Sequence, residues 1–420
     1  MSKKGYKLVP WLFGKEIEIP EEWNIKKIKD ITKVSVGLVI NPSTYFDDDG
    51  MVPMITGKNV TENGIVLDNV DFITEKSNKL LETTRIWSGD LVTMRVGYPG
   101  RTSVVKNEHD GINCASVIIT RRSKKFVSEF LGYLANSKLM SKQIIMHQAG
   151  GAQQVVNIGS WKEFLIPFPS INEQQQIASI LSNIDSLIES TSKIIKNSKS
   201  LKTGLMQKLL TRGISHTKFK KVPWLFGKEI EIPEDWEVKE LEKFSNIIMG
   251  MSPPSESYNK NQEGLPFYQG VTDFGENYPN TTIWCSDPKK IAEKDQILFS
   301  VRAPVGETNI TKEQSCLGRG VCSINPLENE LMYCYFLISY FKKQFVVYAQ
   351  GTTYDAINRN EIVGTRLPFT SNKKEQQRIA SILSNIDAQI NSQTQYKEKL
   401  ERLKKSLMQK LLTGAVRVAI

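Results

Sequence analysis

The sequence predicts an α+β chain with an internal repeat: two globular domains joined by two long helices that pack as an antiparallel coiled coil. Three observations lead to this prediction. The thirteen residues 9–21, VPWLFGKEIEIPE, return unchanged as residues 222–234. The block EQQQIASILSNID at 173–185 returns at 375–387 with a single difference. Each copy of this block opens a stretch with apolar residues at steps of three and four, which is the spacing of a coiled-coil helix.

The repeat unit is a short arm, a variable segment and a helix. The copies of the arm are 213 residues apart and those of the helix 202, so the second variable segment is 11 residues shorter. The arms and helices of the two copies are similar, whereas the variable segments between them differ. This predicts two equivalent scaffolds that hold two different binding domains. The alternative is a duplication in which the variable segments merely drifted. We divide the chain into arm and first variable domain (1–172), central helix (173–212), repeated arm and second variable domain (213–374) and C-terminal helix (375–420).

The variable segments alternate short apolar runs with turn residues, as at 64–67, 90–94 and 296–300. This pattern predicts mainly β domains. Each segment also contains one helical stretch near its end, at 127–147 and at 331–349.

The long helices have a predicted seam that would bury their contact with each other or with a partner. If a pseudo-twofold axis relates the two copies, the helices must run antiparallel. The predicted seam and partner-docking residues are Ile177, Ile180, Ile184, Leu187, Ile194, Leu201 and Leu205 in the first helix, and Ile379, Ile382, Ile386, Leu400, Leu403 and Leu407 in the second.

The composition points to a globular protein with an acidic partner. Of the 420 residues, 40% are hydrophobic and 24% charged, and the net charge of +10 favours a polyanion such as nucleic acid. No apolar run approaches the roughly 20 residues that span a bilayer, and the first residues lack a signal-peptide pattern. The five cysteines form no C-x-x-C pair. We therefore expect a cytoplasmic protein with no membrane partner.

No group of residues has the pattern of a catalytic, metal or nucleotide-hydrolysis site. Phosphate-binding and dinucleotide-binding glycine motifs are absent from the sequence. The nearest approach to a nuclease site is Asp235, Glu237 and Lys239, but the first arm has Asn24 in place of Glu237, which favours a structural arm. The histidines are too scattered for a metal site or a base–nucleophile pair: His109, His147 and His216.

The variable segments do offer basic and amide side chains on glycine-rich loops. Arginine and lysine read guanine, asparagine and glutamine read adenine, and basic groups and backbone N–H groups bind phosphates. The alternative is that these loops are simple turns with solvated side chains. The candidate DNA-binding residues are Lys58, Asn59, Arg95, Arg101, Gln153, Gln154, Gln269, Thr272, Arg302, Arg319, Thr352, Thr353 and Tyr354.

Along essentially its whole length the chain resembles one family, the DNA-specificity (S) subunits of type I restriction–modification systems. IPEEW at 19–23 and IPEDW at 232–236 are similar to the opening arm of that family. The junctions into the helices, LIPFP at 165–169 and RLPF at 366–369, each followed by the EQQ block, are also similar. The recurrent motifs of the family's target domains have similar counterparts here: SVRAPVG at 300–306, GRG at 318–320 and GTT at 351–353. The first domain lacks the GRG signature and has Asn113-Cys114-Ala115-Ser116 instead.

The resemblance implies a sequence-specific DNA-binding subunit that is not catalytic by itself. Each variable domain would be a target recognition domain for one half of a bipartite, asymmetric site, and the helices would set the spacer and dock two methyltransferase (modification) subunits. Those subunits would carry S-adenosylmethionine and methylate adenine. Restriction subunits, where present, would use ATP and Mg²⁺ to translocate and cleave DNA. This chain itself would hold no cofactor and no metal.

Two other hypotheses remain open at this point. One is an autonomous DNA-modifying enzyme with an unrecognised site, which would require turnover by the isolated chain. The other is a coiled-coil scaffold that binds only protein, which has no need for two different variable domains.

Overall fold

The computed structural model describes residues 4–147, 155–224, 227–348 and 356–419. The chain forms two compact units, residues 1–192 with 395–420 and residues 193–394. Each unit contains one globular domain of strands and short helices, the first part of one long helix and the last part of the other. The α+β architecture with an internal repeat is therefore confirmed.

The first domain is built from short strands and helices that lead into a long helix. Its described strands are Tyr6–Pro10 (β1), Glu16–Pro20 (β2), Asn24–Lys27 (β3), Val34–Val36 (β4), Val52–Ile55 (β5), Val60–Thr61 (β6), Gly64–Ile65 (β7), Asp71–Ile73 (β8), Leu91–Met94 (β9), Thr102–Val104 (β10), Asn113–Cys114 (β11), Val117–Thr120 (β12) and Leu165–Phe168 (β13). Its helices are Ile28–Ile31 (α1), Glu75–Leu80 (α2), Ser128–Ala135 (α3), Lys138–His147 (α4) and Ile158–Glu163 (α5), followed by the long helix Ile171–Arg212 (α6).

The second domain also has thirteen described strands, but three described helices instead of five precede its long helix. Its described strands are Phe219–Pro223 (β14), Glu229–Pro233 (β15), Glu237–Glu240 (β16), Asn246–Met249 (β17), Tyr258–Asn259 (β18), Leu265–Tyr268 (β19), Trp284–Cys285 (β20), Ile291–Ala292 (β21), Ile297–Ser300 (β22), Thr308–Ile310 (β23), Ser315–Leu317 (β24), Val321–Asn325 (β25) and Arg366–Phe369 (β26). Its helices are Leu331–Tyr340 (α7), Lys342–Tyr348 (α8) and Arg359–Val363 (α9), followed by the long helix Lys373–Leu411 (α10).

Both domains have the same sheet plan. The first has an antiparallel sheet in the order β10-β9-β12-β4 and a smaller sheet β11-β5-β8, in which β11 and β5 are parallel. The second has the antiparallel sheet β17-β25-β22-β23 and the sheet β18-β20-β19-β24-β21, in which β19 and β24 are parallel. The strand that enters each domain pairs with the strand that leaves it, β3 with β13 and β16 with β26, so the chain returns to its arm before the long helix begins.

The single late helix predicted in each domain is wrong in detail, because two shorter helices stand in its place, α3 with α4 and α7 with α8. In the first domain the break falls at Asn136, which ends α3. The side chain of Asn136 accepts a hydrogen bond from the Thr102 N–H at 3.0 Å and donates one to the Thr102 carbonyl at 2.8 Å. Asparagine often binds backbone in this way where a helix ends, and no short-range sequence pattern shows the distant partner.

The repeated glutamate and glutamine of the EQQ block attach each domain to its long helix. In the first unit the buried Trp23 indole donates to Glu173 at 2.8 Å, and the Val127 N–H donates to the Gln174 side chain at 2.9 Å. The latter contact satisfies an N–H at the start of α3. The same two contacts recur in the second unit, between Trp236 and Glu375 and between Glu330 and Gln376. The identical flanks of the two copies therefore serve identical anchoring contacts.

Ion pairs within each unit show that the long helices run antiparallel. In the first unit Lys404 Nζ, late in α10, lies 2.6 Å from Asp185 Oδ1, early in α6. In the second unit Lys202 Nζ, late in α6, lies 2.5 Å from Asp387 Oδ1, early in α10. The coiled coil is therefore present as predicted.

The seam of this coil differs from the predicted one at every second position. Buried or half-buried side chains follow positions 177, 181, 184, 188, 191, 195, 198, 202, 205 and 209 of α6 and the positions 202 residues later in α10. Seven of the predicted residues lie on this buried face: Ile177, Ile184, Leu205, Ile379, Ile386, Leu400 and Leu407. Ile180 is half-buried on the flank, and five predicted seam residues are exposed: Leu187, Ile194, Leu201, Ile382 and Leu403. The error arises because α6 has adjacent apolar residues at 180/181, 187/188 and 194/195, so two heptad patterns fit equally well.

In the part of the chain that the structure describes, no helix combines the length and the apolar character that crossing a membrane requires.

Candidate nucleic-acid interface

Three turns of the second domain place predicted DNA-binding residues next to one another. These are the β22–β23 loop at 301–307, the 318–320 turn between β24 and β25, and the segment that follows β19. The Val301 N–H donates to the Gly320 carbonyl at 3.0 Å, and the Gly318 N–H donates to the Tyr268 carbonyl at 2.8 Å. The polar side chains exposed on these turns include Gln269, Arg302 and Arg319.

Glycine is required where these turns meet. A Cβ atom on Gly320 would lie 2.1 Å from the Gln269 carbonyl oxygen, and one on Gly318 would lie 3.1 Å from the Gln269 Cα. The GRG motif therefore lets the backbone that carries Arg319 approach the backbone that carries Gln269. An amide and a guanidinium presented side by side match the chemistry that reads adenine and guanine.

Thr272 lies exposed on the adjoining 3-10 turn, Val271–Asp273. The Asp273 carboxylate fixes this turn by accepting hydrogen bonds from the Gln269 N–H at 2.6 Å and the Gly270 N–H at 3.2 Å. All four described candidates of the second domain, Gln269, Thr272, Arg302 and Arg319, are thus exposed on connected turns.

The corresponding turn of the first domain carries Lys58 and Asn59, but only Lys58 is exposed. Asn59 is 4% exposed, and its side chain accepts a hydrogen bond from the Thr56 N–H at 3.0 Å and donates one to the Val66 carbonyl at 2.9 Å. Asn59 therefore stabilises the turn as Asp273 does in the second domain. The prediction that Asn59 contacts DNA is contradicted by this burial.

Arg95 and Arg101 lie at the two ends of the β9–β10 loop, and both are half-buried. The Arg101 guanidinium lies over the Tyr98 ring, 4.4 Å from its centroid. The Arg95 Nε is buried and has no hydrogen-bond partner among the described residues. Tyr98 is 67% exposed at the tip of the loop. Sequence reasoning missed Tyr98, although an aromatic residue between Gly97 and Pro99 was a usable signal.

Five candidates, Gln153, Gln154, Thr352, Thr353 and Tyr354, lie outside the described residues. The described residues that follow each segment do contact the hairpin loops. Val155 forms a β-bridge with Val96 in the first domain, and Ala356 forms one with Arg302 in the second. The end of each glycine-rich segment therefore joins the surface that carries the other candidates of its domain.

The first domain has no arginine at the turn equivalent to 318–320. Its β11–β12 connection is shorter and has Ser116 in the left-handed region at φ +58°. The first domain therefore departs from the GRG signature as expected: its β11–β12 connection differs from the β24–β25 turn both in side chain and in length.

One cluster of the described residues has the composition of a metal site, His216 with Asp235 and Glu375. His216 Nε2 lies 2.7 Å from Glu375 Oε1, and Nδ1 lies 3.3 Å from Asp235 Oδ1. In the first unit Arg417 occupies the equivalent place, with Nε 2.8 Å from Glu173 Oε1. Because a guanidinium cannot bind a metal, the feature shared by both units is a basic side chain paired with a buried carboxylate.

The hydrogen bonds of Glu375 support the same interpretation. Burial raises the pKa of the Glu375 carboxyl, but hydrogen bonds from the Ile214 N–H, His216, Trp236 and Thr370 outweigh it and hold the pKa below its usual value. Both carboxylate oxygens are engaged by these donors. The cluster is an anchor between the long helix and the arm.

The other residues that could have formed a catalytic or metal site are instead buried, packed or paired within the fold. His109 is buried, and burial lowers the pKa of its imidazole. His147 packs against Phe164 with ring centroids 5.1 Å apart. Lys239 Nζ lies 3.2 Å from Glu237 Oε2 and donates to Ser371 Oγ at 2.9 Å, as expected for a strand of the arm.

Comparison with known proteins agrees with this architecture. The family model described as type I restriction modification DNA specificity domain matches twice, at residues 20–198 and 233–402. A protein described as the specificity subunit of type I restriction enzyme MjaX, from Methanocaldococcus jannaschii, is 32% identical over 96% of this chain and 95% of its own length. The MjaVIII specificity subunit of the same organism is 26% identical over 96% of this chain and 95% of its own length.

A solved structure supports the fold. The S subunit of a type I restriction–modification system from M. genitalium is 16% identical, and the match covers 93% of this chain and 96% of that one with a TM-score of 0.60. The same domain family matches both halves of the chain, and the relatives named above align with nearly its whole length. The chain belongs to the family of type I restriction–modification DNA specificity subunits.

Proposed function

We propose that each variable domain reads one half of a bipartite DNA site, and that the two long helices set the spacer between the halves. The observation that carries this proposal is the group of exposed side chains on the connected turns of the second domain: Gln269, Thr272, Arg302 and Arg319. Their residue types suit base edges and phosphates, and the net charge of +10 favours DNA. In the first domain the corresponding candidates are Lys58, Arg95 and Arg101.

Two modest binding surfaces on one frame gain affinity because the second contact is made at high effective concentration. This gain requires a fixed distance between the surfaces. We assign this spacer role to the coiled coil, to which each domain is anchored by the Trp–Glu and Gln–backbone contacts.

The helices also offer a surface for partner subunits. Exposed apolar residues recur at intervals of seven or fourteen on both helices, one position before the seam, and we call them the outer stripe: Leu187, Ile194 and Leu201 on α6, and Ile382, Tyr396 and Leu403 on α10. Two of these positions on α6, 194 and 201, have apolar equivalents 202 residues later, and Ile382 is the equivalent of the half-buried Ile180. Exposed apolar stripes on helices are typical of docking surfaces. Equivalent stripes on both helices fit two copies of one partner, and we assign them to two methyltransferase subunits.

The chemistry then belongs to those partners. S-adenosylmethionine would be bound by the methyltransferase subunits, and ATP and Mg²⁺ by restriction subunits where these are present. The chain would supply specificity to an adenine-methylating complex and would act in the cytoplasm, where the DNA is.

The test is co-expression of the full chain with the candidate methyltransferase subunit in a host without DNA methylation, followed by mapping of modified adenine. A split motif with a fixed spacer is the expected result. An assembled complex that methylates nothing, or a chain that turns over DNA alone, would contradict the proposal and favour the scaffold or the autonomous enzyme.

Docking is tested separately with Leu187→Ser and Leu403→Ser. These residues are exposed, so the helical signal and melting temperature of the isolated chain should not change. Co-purification of the methyltransferase subunit should fall, because each change removes apolar area from the outer stripe. Leu80→Ser is the matched control, since Leu80 is 75% exposed on the short helix α2 and lies outside the two long helices, α6 and α10. Equal co-purification with all three variants would exclude the outer stripe as the docking surface.

A further inference from the structure

The β9–β10 and β22–β23 loops have the same backbone frame although their sequences differ. In the first domain the Met94 N–H donates to the Arg101 carbonyl at 2.8 Å, and the Gly100 N–H donates to the Met94 carbonyl at 2.9 Å. In the second domain the matching bonds join Ser300 with Glu307 at 2.9 Å and Gly306 with Ser300 at 3.0 Å. Residues 94–101 therefore correspond one by one to residues 300–307.

Two further contacts fix each loop on the segment after the glycine-rich stretch. The Val156 N–H donates to the Arg95 carbonyl at 3.0 Å, and the Ile357 N–H donates to the Val301 carbonyl at 3.0 Å. The residue after each acceptor forms the β-bridges to Val155 and Ala356 described above. Gly100 and Gly306 have φ angles of +92° and +93°. Because these are backbone contacts, they do not involve the side chains of Val96 or Arg302.

This correspondence aligns Val96 with Arg302. Val96 is 53% exposed, and Arg302 is exposed as well. Each is the second residue after its strand, β9 or β22, and each forms a β-bridge with a residue that follows the glycine-rich segment. An exposed valine in a group of basic and aromatic residues contributes nothing to a core. Both residues therefore lie on the surface of their domain that carries the other candidate DNA-binding residues.

We propose that Val96 and Arg302 hold the same place in the two recognition surfaces and determine the base pair that each domain accepts there. Arg302 selects guanine, whose O6 and N7 a guanidinium binds in bidentate fashion. Val96 selects thymine, whose 5-methyl group is the apolar feature of the major groove. This inference rests on the proposed function, because it presumes that each domain reads half of a DNA site.

The experiment uses Val96→Arg and Arg302→Val in the full chain, each co-expressed with the methyltransferase subunit, and maps modified adenine. Val96→Arg should convert one thymine position of one half-site to guanine. Arg302→Val should lose guanine at one position of the other half-site. Because a good bidentate contact discriminates by roughly ten- to a hundredfold, the methylated fractions of sites with and without guanine should shift by that factor.

Two control variants change the charge equally elsewhere on the same domains. Leu80→Arg adds a positive charge on α2, and Lys294→Val removes one from the exposed turn before β22. Neither should alter the motif. Melting temperatures should be unchanged in all four variants, since all four side chains are exposed.

Three outcomes decide the matter. Single-position changes in different half-sites, with unchanged controls, support the inference. The inference is overturned if both variants leave the motif intact. It is also overturned if Arg302→Val lowers methylation equally at all sites, as loss of a phosphate contact would. In either case, a split motif from the unaltered chain still supports the proposed function. Absence of a split motif in the unaltered complex overturns the proposed function itself.

Discussion

Replacing Phe336 by tyrosine should stabilise the second unit, because the first unit already has the hydrogen bond that this change would create. The Tyr133 hydroxyl donates to Asp185 Oδ2 at 2.7 Å, while Lys404 pairs with the other oxygen. In the second unit Lys202 pairs with Asp387 Oδ1, but the buried Asp387 Oδ2 has no hydrogen-bond partner among the described residues.

Tyr133 and Phe336 are equivalent by structure. Each lies six residues after the N–H that binds the glutamine of the EQQ block, at Val127 and Glu330. The lysine of each ion pair lies over the ring, with Nζ 5.6 Å from the Tyr133 centroid and 5.4 Å from the Phe336 centroid. A hydroxyl at the end of the Phe336 ring is therefore directed toward Asp387.

A hydrogen bond to a charged acceptor contributes about 1.5–3 kcal/mol to the free energy of unfolding. We expect about 1–2 kcal/mol here, because Phe336 is 1% exposed and the added oxygen must fit a packed site. For a unit of this size the gain corresponds to an increase in melting temperature of about 2–8 °C. Tyr133→Phe should destabilise the first unit by a similar amount.

Calorimetry of the full chain measures both changes, and a double-mutant cycle with Asp387→Ala separates the hydrogen bond from packing. The coupling between Phe336→Tyr and Asp387→Ala should be at least about 1 kcal/mol. A stabilising Phe336→Tyr with no coupling would assign the gain to packing. An unchanged or lower free energy of unfolding with no coupling would refute the equivalence of the two sites.

Three further changes test the turns, the anchor and the spacer. Gly320→Ala should weaken DNA binding in an anisotropy titration by tenfold or more, whereas Gly270→Ala, whose Cβ would meet nothing within 4 Å, should not. Because the pKa of Glu375 is lowered in the folded state, its contribution is present above about pH 4.5 and is lost as the pH falls through the folded value. The protection factors of the amide hydrogens around the anchor should therefore fall on acidification in the unaltered chain but not in Glu375→Gln. Seven residues inserted after both Ile188 and Leu400 preserve the heptads, lengthen the coil by about 10 Å and should lengthen the methylated motif's spacer by about three base pairs. Unchanged half-sites with an unchanged spacer would exclude the ruler role.

The sequence was sufficient for the repeat and the long helices, because identical blocks and heptad spacing are local patterns. It was insufficient for the seam. Residues 180 and 181, 187 and 188, and 194 and 195 are all apolar, so the sequence permits two stripes. Packing against the other helix decides which is buried, and that contact joins residues about 200 positions apart. The stripe left outside is the one that we assign to partner subunits.

The candidate site shows a similar limit. Gln269, Arg302 and Arg319 could be found from residue type and from nearby glycines. Asn59 could not be separated from them, because asparagine serves equally well as a base reader and as a turn cap. Val96 has no polar group that would indicate a DNA contact, and its equivalence to Arg302 is visible only in backbone hydrogen bonds.

The two units share a division of contacts that explains how the flanks remain constant while the variable domains diverge. Side chains make the anchoring contacts, Trp23 with Glu173 and Trp236 with Glu375, so substitution there would detach a domain from its helix. The backbone contacts that hold the hairpin loops do not involve the side chains of Val96 or Arg302, so replacing either residue changes the surface at little cost to the fold. Selection on stability therefore acts strongly on the flanks and weakly on the loop tips. A duplicated chain with this division can acquire a new half-site in one domain without disturbing the other domain or the spacer.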